Sequence, residues 1–193
     1  MNPRTIIVLA LGMLLARFPI PVIAQQVPTV DQWELRELCN QGRCRTDVVT
    51  RFHVGNGQIQ EERIAQHRPA ILPGSLSIML GEELKAVAEF TGGTFQRWRE
   101  PERRESSRNI VLEFRLTQLE SDGSISLQVK NNGREPVKLD LFIRTAGAAQ
   151  AEYTSSCPVL ANGTVFEYWS QPIVEVVVGD VRVVSDDGAL QCQ

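Results

Sequence analysis

The sequence predicts an all-β protein, an antiparallel β-sandwich with Greek-key crossings. Three observations lead there. Apolar and polar residues alternate with period two along most of the chain. Turn signals built on glycine and asparagine recur roughly every 8–12 residues. Only one short stretch has any helical character. With 193 residues, of which 42% are hydrophobic, the chain is long enough for one good core.

Residues 1–24 read as a secretory signal peptide. Arg4 gives a positive start, Ile6 to Ala16 is an apolar run, and Pro19 and Pro21 interrupt the short tail after Arg17. Val22 and Ala24 fit the small residues before a cleavage site, which would leave Gln25 as the new terminus. As a helix the apolar run would span about 16 Å, roughly half of a bilayer's hydrocarbon core, so it is too short for an anchor. The expectation is a single domain over 25–193, periplasmic or secreted, with no membrane span. Loss of Arg4 and Arg17 moves the formal net charge from −3 to −5. That balance argues against nucleic acid as a partner.

Cys39, Cys44, Cys157 and Cys192 form an even set in a chain expected outside the cytosol, which predicts disulfides. The favoured pairs are Cys39–Cys44, closing a tight loop around Gly42, and Cys157–Cys192, tying the last residues to the body. A metal knuckle would need two further ligands at matching spacing, and a redox pair would need C-x-x-C.

Along the chain, "DQWELREL" (31–38) supports two readings. Asp31 and Glu34 resemble a capping box, while Trp33 and Leu35 alternate as in a strand; the expectation is a strand. "RTDVVTRFHV" (45–54) puts Thr50 and Phe52 on one side and His53 with Arg51 on the other. Short strands come next at 76–80, 84–90 and 94–100. "NIVLEFRLTQLE" (109–120), "SISLQVK" (124–130) and "VKLDLFI" (137–143) alternate cleanly and are separated by "SDG" and "NNGREP". They predict an antiparallel meander. Strands at 164–169 and 173–184 close the fold, with a bulge or a bend at Gly179-Asp180. The segment "LQVKNNGREPVKLDLFI" resembles a strand pair found in immunoglobulin-like domains of exported bacterial proteins. That resemblance implies an immunoglobulin-like Greek-key sandwich and carries no functional residue.

Chemistry is sparse. "RWREPERRESSR" (97–108) gathers Arg97, Arg99, Arg103, Arg104 and Arg108 around Trp98, with Glu100, Glu102 and Glu105 between them. One reading is an anion site, in which arginine forks take phosphate, sulfate or carboxylate and Trp98 stacks on a sugar. The other is a solvated hairpin tip whose charges neutralise each other. The candidate ligand-binding set is Arg97, Trp98, Arg99, Arg103 and Arg104. His53 and His67 could share a metal only if the fold brought them together, since no H-x-H or H-E-x-x-H frames them. Tyr153, Phe166, Tyr168 and Trp169 form either an aromatic platform or, with alternation sending Phe166 and Tyr168 one way, a set in which Trp169 and Cys157 help cap the core. Asn162-Gly163-Thr164 is a glycosylation acceptor in a eukaryotic source. No nucleophile elbow, phosphate loop or dinucleotide fingerprint is present, so no cofactor is expected.

The expectation is an exported, non-catalytic binding or accessory protein of the cell envelope, whose partner is a protein or an anionic glycan. The alternatives are a metal-dependent hydrolase using His53 and His67, or a structural subunit of an envelope assembly.

Overall fold

A computed structural model describes residues 28, 30–54, 57–106, 109–184 and 192; the expected leader at 1–24 lies outside them. One helix, α1 (Gln32–Asn40), precedes a run of strands. These are β1 (Arg45–His53), β2 (Ile59–His67), β3 (Ile71–Leu72), β4 (Ser75–Met79), β5 (Glu83–Thr91), β6 (Thr94–Arg99), β7 (Ile110–Gln118), β8 (Ile125–Asn131), β9 (Val137–Thr145), β10 (Glu152–Thr154), β11 (Thr164–Trp169) and β12 (Ile173–Val183). Among the described residues the sheets are antiparallel: a β1–β2 ribbon, a five-stranded sheet in the order β10-β9-β12-β4-β3, and a second in the order β11-β8-β7-β5-β6.

The strand expected at 31–38 is corrected to a helix. The Asp31 carboxylate accepts from the Glu34 amide at 2.7 Å, which satisfies one of the free amides of a helix start. Leu, Glu, Arg and Gln are good helix formers, and no β-branched residue interrupts them. The helix ends in a left-handed turn at Gly42, with φ of 68°. There Gly42 donates to the Cys39 carbonyl at 2.9 Å and Arg43 to the Leu38 carbonyl at 2.8 Å. The Cys39–Cys44 disulfide spans this turn and joins the helix end to β1.

Alternation places Leu112, Phe114 and Leu116 of β7, Leu127 and Val129 of β8, and Leu139 and Leu141 of β9 in one apolar cluster. Leu76 and Ile78 of β4 and Val176 and Val178 of β12 join it, so both five-stranded sheets feed the same core. Trp98 is 1% exposed and lies against Phe95 and Phe114. Its indole N–H donates to the Gly179 carbonyl at 2.8 Å. That carbonyl is presented by the bulge between Val178 and Val181, where β12 loses register with β9.

The meander expected over 109–143 is also corrected. β7 pairs with β8, but β9 pairs with β10 and β12 in the other sheet. The crossing is made by Asn131, which is fully buried. Its side-chain amide donates to the Glu135 carbonyl at 2.8 Å, and its side-chain oxygen accepts from the Gly133 amide at 2.7 Å. A Cβ at Gly133 would stand 2.9 Å from Asn131 Oδ1 and 3.2 Å from Ile110, so only glycine fits this hook.

The β9-β12-β4 sheet has a second covered face. Ser77, Phe142, Glu175 and Val177 alternate with core residues and still have exposures of 0%, 2%, 3% and 4%. The β1–β2 ribbon covers them in part, through hydrogen bonds from Arg45 and His67 into this face.

Cys157 and Cys192 are bonded, joining the β10–β11 connection to the chain beyond β12. On the chain-entropy model the loop of sequence separation 35 contributes about 4 kcal/mol and that of separation 5 about 2 kcal/mol. Urea unfolding of a Cys157→Ser/Cys192→Ser variant should show roughly twice the loss of a Cys39→Ser/Cys44→Ser variant. Equal losses would contradict this account.

Candidate functional site

The expected anion site at 97–108 does not assemble. Alternation along β6 turns Trp98 inward between Arg97 and Arg99, so it cannot stack on a ligand. Arg97 Nε donates to Glu89 at 2.7 Å. Arg99 also donates to Glu89, and grips both oxygens of Glu105 at 2.6 and 2.9 Å. The Arg99 guanidinium, with the Glu102 amide and Asn109, holds the Glu105 carboxyl at a pKa of about 2. Arg103 and Arg104 are exposed; Arg108 lies outside the described residues. The stretch carries the chain from β6 past β5 to β7, with Arg97 and Arg99 paired to Glu89 and Glu105.

The shared histidine site is overturned by register. His53 pairs with Ile59 at one end of the β1–β2 ribbon, and His67 pairs with Arg45 at the other. Eight residue steps at about 3.4 Å separate the ends by about 27 Å. Among the described residues, no group of three or more His, Cys, Asp or Glu is placed to hold a metal ion.

His67 belongs instead to a buried polar network. Its Nε2 lies 2.9 Å from Glu175 Oε1 and 3.2 Å from Ser77 Oγ. Ser77 donates to Glu175 Oε1 at 2.6 Å and accepts from Arg45 Nη2 at 2.5 Å. Arg144 Nε donates to Glu175 Oε2 at 2.9 Å, and its Nη1 to Glu62 at 2.6 Å. Arg45 Nη1 closes the far end on Glu82 at 2.7 Å. Serine, histidine and glutamate are thus in contact, but not as an acyl-transfer triad. The Ser77 proton goes to Glu175, and the same ring nitrogen of His67 faces both partners. His67 Nε2 donates to the carboxylate and has no lone pair left to serve as a base towards Ser77. The network joins elements and does not activate a nucleophile.

Burial pushes the Glu175 carboxyl upward, and the hydrogen bonds from His67, Ser77 and Arg144 outweigh it, holding its pKa at about 2. Apart from His67, none of these residues was singled out from the sequence. The available signal was a lone carboxylate inside the apolar run "IVEVVV" (173–178), where a charge needs partners if both faces are covered.

A second feature lies on the outward face of the other five-stranded sheet. Phe166 and Tyr168 of β11 are 48% and 58% exposed. Their ring centroids are 6.3 Å apart and their planes 17° from parallel. Trp169 turns the other way and packs against the core. The rung at Phe166 continues through Gln128, Arg115 and Glu83, and the rung at Thr164 through Lys130, Glu113 and Lys85. Lys85 and Lys130 both approach Glu113, at 2.9 and 3.6 Å, and a depression of ≈ 410 Å³ opens among these side chains. Phe166 and Tyr168 stand on an edge strand whose far side has no partner strand among the described residues.

Comparison with protein-family models, with curated proteins and with solved structures returns no match. No helix of the described residues is long and apolar enough to cross a membrane.

The depressed pKa of Glu175 sets a pH dependence. A carboxylate held below its ordinary value of 4.5 contributes stability that is complete above that value and is lost as pH falls toward about 2. The contribution is on the order of 3 kcal/mol. Chemical denaturation between pH 6 and pH 2 should therefore show a fall beginning below about pH 4.5. In Glu175→Gln the fall should be shallower, and stability at pH 6 lower. A parallel pH profile in that variant would count against the assignment.

Proposed function

We propose that this chain is an exported, non-catalytic binding protein of the cell envelope, and that it meets an anionic glycan on the outward face of β11, β8 and β7. The observation that carries this reading is the exposed, near-parallel pair Phe166 and Tyr168 beside rungs of polar and charged side chains. A sugar ring offers an apolar C–H face for stacking and hydroxyls at its rim. The aromatic rings serve the first, and Gln128, Arg115 and Lys130 serve the second. The charged groups of the two rungs, Glu83, Lys85, Glu113, Arg115 and Lys130, leave one excess positive charge, which favours an acidic polysaccharide over a neutral one.

The architecture we assign is an immunoglobulin-like Greek-key sandwich. The two sheets share one core, β5 lies between β6 and β7, and the chain crosses between sheets after β8 and after β11. The two disulfides are consistent with an oxidising location, periplasmic or secreted, as the leader sequence implies.

Co-sedimentation with purified peptidoglycan sacculi tests the proposal. Phe166→Ala/Tyr168→Ala should bind about fivefold to about 150-fold more weakly, since each ring is worth about 0.5–1.5 kcal/mol. Its unfolding free energy should stay within about 0.5 kcal/mol of wild type, because both rings are exposed. Arg103→Gln/Arg104→Gln should bind as wild type does. Equal sedimentation of the aromatic variant, or none by wild type, defeats the reading.

A further inference from the structure

On the opposite side of the molecule from the aromatic pair, a cavity of ≈ 330 Å³ is bounded by α1, β2, β12 and the loop after β9. Its lining has two chemistries. Val30, Leu35, Ile64, Ala148 and Val177 are apolar. Glu62, His67, Arg68, Arg144 and Glu175 are polar or charged. The volume falls at the lower end of the range for small-molecule sites, about 300–1,000 Å³.

Hydrogen-bond accounting shows which capacity is unused. Both oxygens of Glu62 are taken, by Arg144 Nη1 at 2.6 Å and by the Gly147 amide at 3.1 Å. Both oxygens of Glu175 are taken, one by Ser77 and His67 and the other by Arg144 Nε. Arg68 spends Nη1 on the Pro28 carbonyl at 2.9 Å and Nη2 on Ser75. Among the described residues, the buried side-chain donors at this cavity without a partner are Arg144 Nη2 and Arg68 Nε. Arg68 as a whole is only 7% exposed. An unmet buried donor costs about 1–3 kcal/mol, and more on a charged group. The carboxylates are satisfied and two buried guanidinium donors are left over, which favours a ligand that brings acceptors. A guanidinium edge favours a carboxylate.

We propose that this cavity binds a small monocarboxylate with an apolar body, its carboxylate turned to Arg144 and Arg68 and its hydrocarbon part lying along Leu35, Ile64 and Val177. Entry displaces the loop at 146–151, which is held here by the bond from Gly147 to Glu62 and by Ala146 donating to the Pro172 carbonyl at 2.9 Å. The carboxylate then takes up the donors that the loop had closed off. This site lies on a different sheet from the glycan face and is independent of it.

Titration of the full folded chain with octanoate, octan-1-ol and acetate, monitored by amide NMR shifts and calorimetry, tests the proposal. Octanoate should bind saturably at one site, with shifts concentrated at Leu35, Ile64, Ala148 and Val177. Octan-1-ol and acetate should each bind at least tenfold more weakly, one lacking the charge and the other the apolar body. Arg144→Lys keeps a cation between Glu62 and Glu175 but removes Nη2, and should weaken octanoate at least tenfold. Ala148→Phe fills the cavity without touching a charge, and should abolish binding while circular dichroism stays that of wild type. If Arg144→Lys fails to fold, Ala148→Phe decides alone. Equal affinities for octanoate and octan-1-ol, undiminished binding by Ala148→Phe, or no saturable binding by wild type would each overturn the proposal.

Discussion

The carboxylate of Glu175 is the constraint around which one side of the molecule is arranged. It sits in the middle strand of a five-stranded sheet and is 3% exposed, on the face turned away from the apolar core. An ion withdrawn from water costs several kcal/mol unless it is fully paired. Three side chains meet the demand, from β2, β4 and β9. Arg144 bridges Glu175 to Glu62 and so fastens β2 to the sheet. Arg45 and His67 are cross-strand partners in the ribbon, so one rung delivers both to Ser77. Charge pairing therefore fastens this end of the ribbon to the sheet. Removing a single partner would leave a buried charge exposed to the full penalty.

The two faces of this sheet obey different physics. Towards the core, Leu141, Val176 and Ile78 exclude water and need only shape and volume. The Trp98 indole N–H in that core is satisfied by the carbonyl freed at the β12 bulge. Away from the core, the same strands carry Ser77, Arg144 and Glu175, whose partners must be placed within hydrogen-bonding distance. Apolar packing tolerates small adjustments, whereas this arrangement fixes a register.

That division also decides how much of the molecule could be read in advance. β7, β8 and β9 were legible because each has one apolar face, and period-two alternation reports burial on one side. Their connection was not legible. A glycine-bearing turn reads as a hairpin, and only the buried side chain of Asn131 reveals that it carries the chain to the other sheet. β2 went unrecognised because its two isoleucines, Ile59 and Ile64, fall on opposite faces and one of its half-buried positions is Glu62. α1 was obscured by Trp33 and Leu35, which fit either period; the cap at Asp31 decided it. The exposed pair Phe166 and Tyr168 was visible as alternation. The charge network joins residues up to 108 positions apart, and no local pattern encodes such contacts.

The place of β12 has a consequence for the order of events in folding. Among the described strands it is the last along the chain, yet it stands between β9 and β4. Those two strands cannot be held side by side until it arrives, and Glu175 arrives with it. A chain emerging from its N-terminal end, whether from a ribosome or through a translocation pore, can form the β5–β6 and β7–β8 hairpins early. It cannot complete its other large sheet until nearly all of it has emerged. Such a molecule stays open until almost its whole length is free, and locks last.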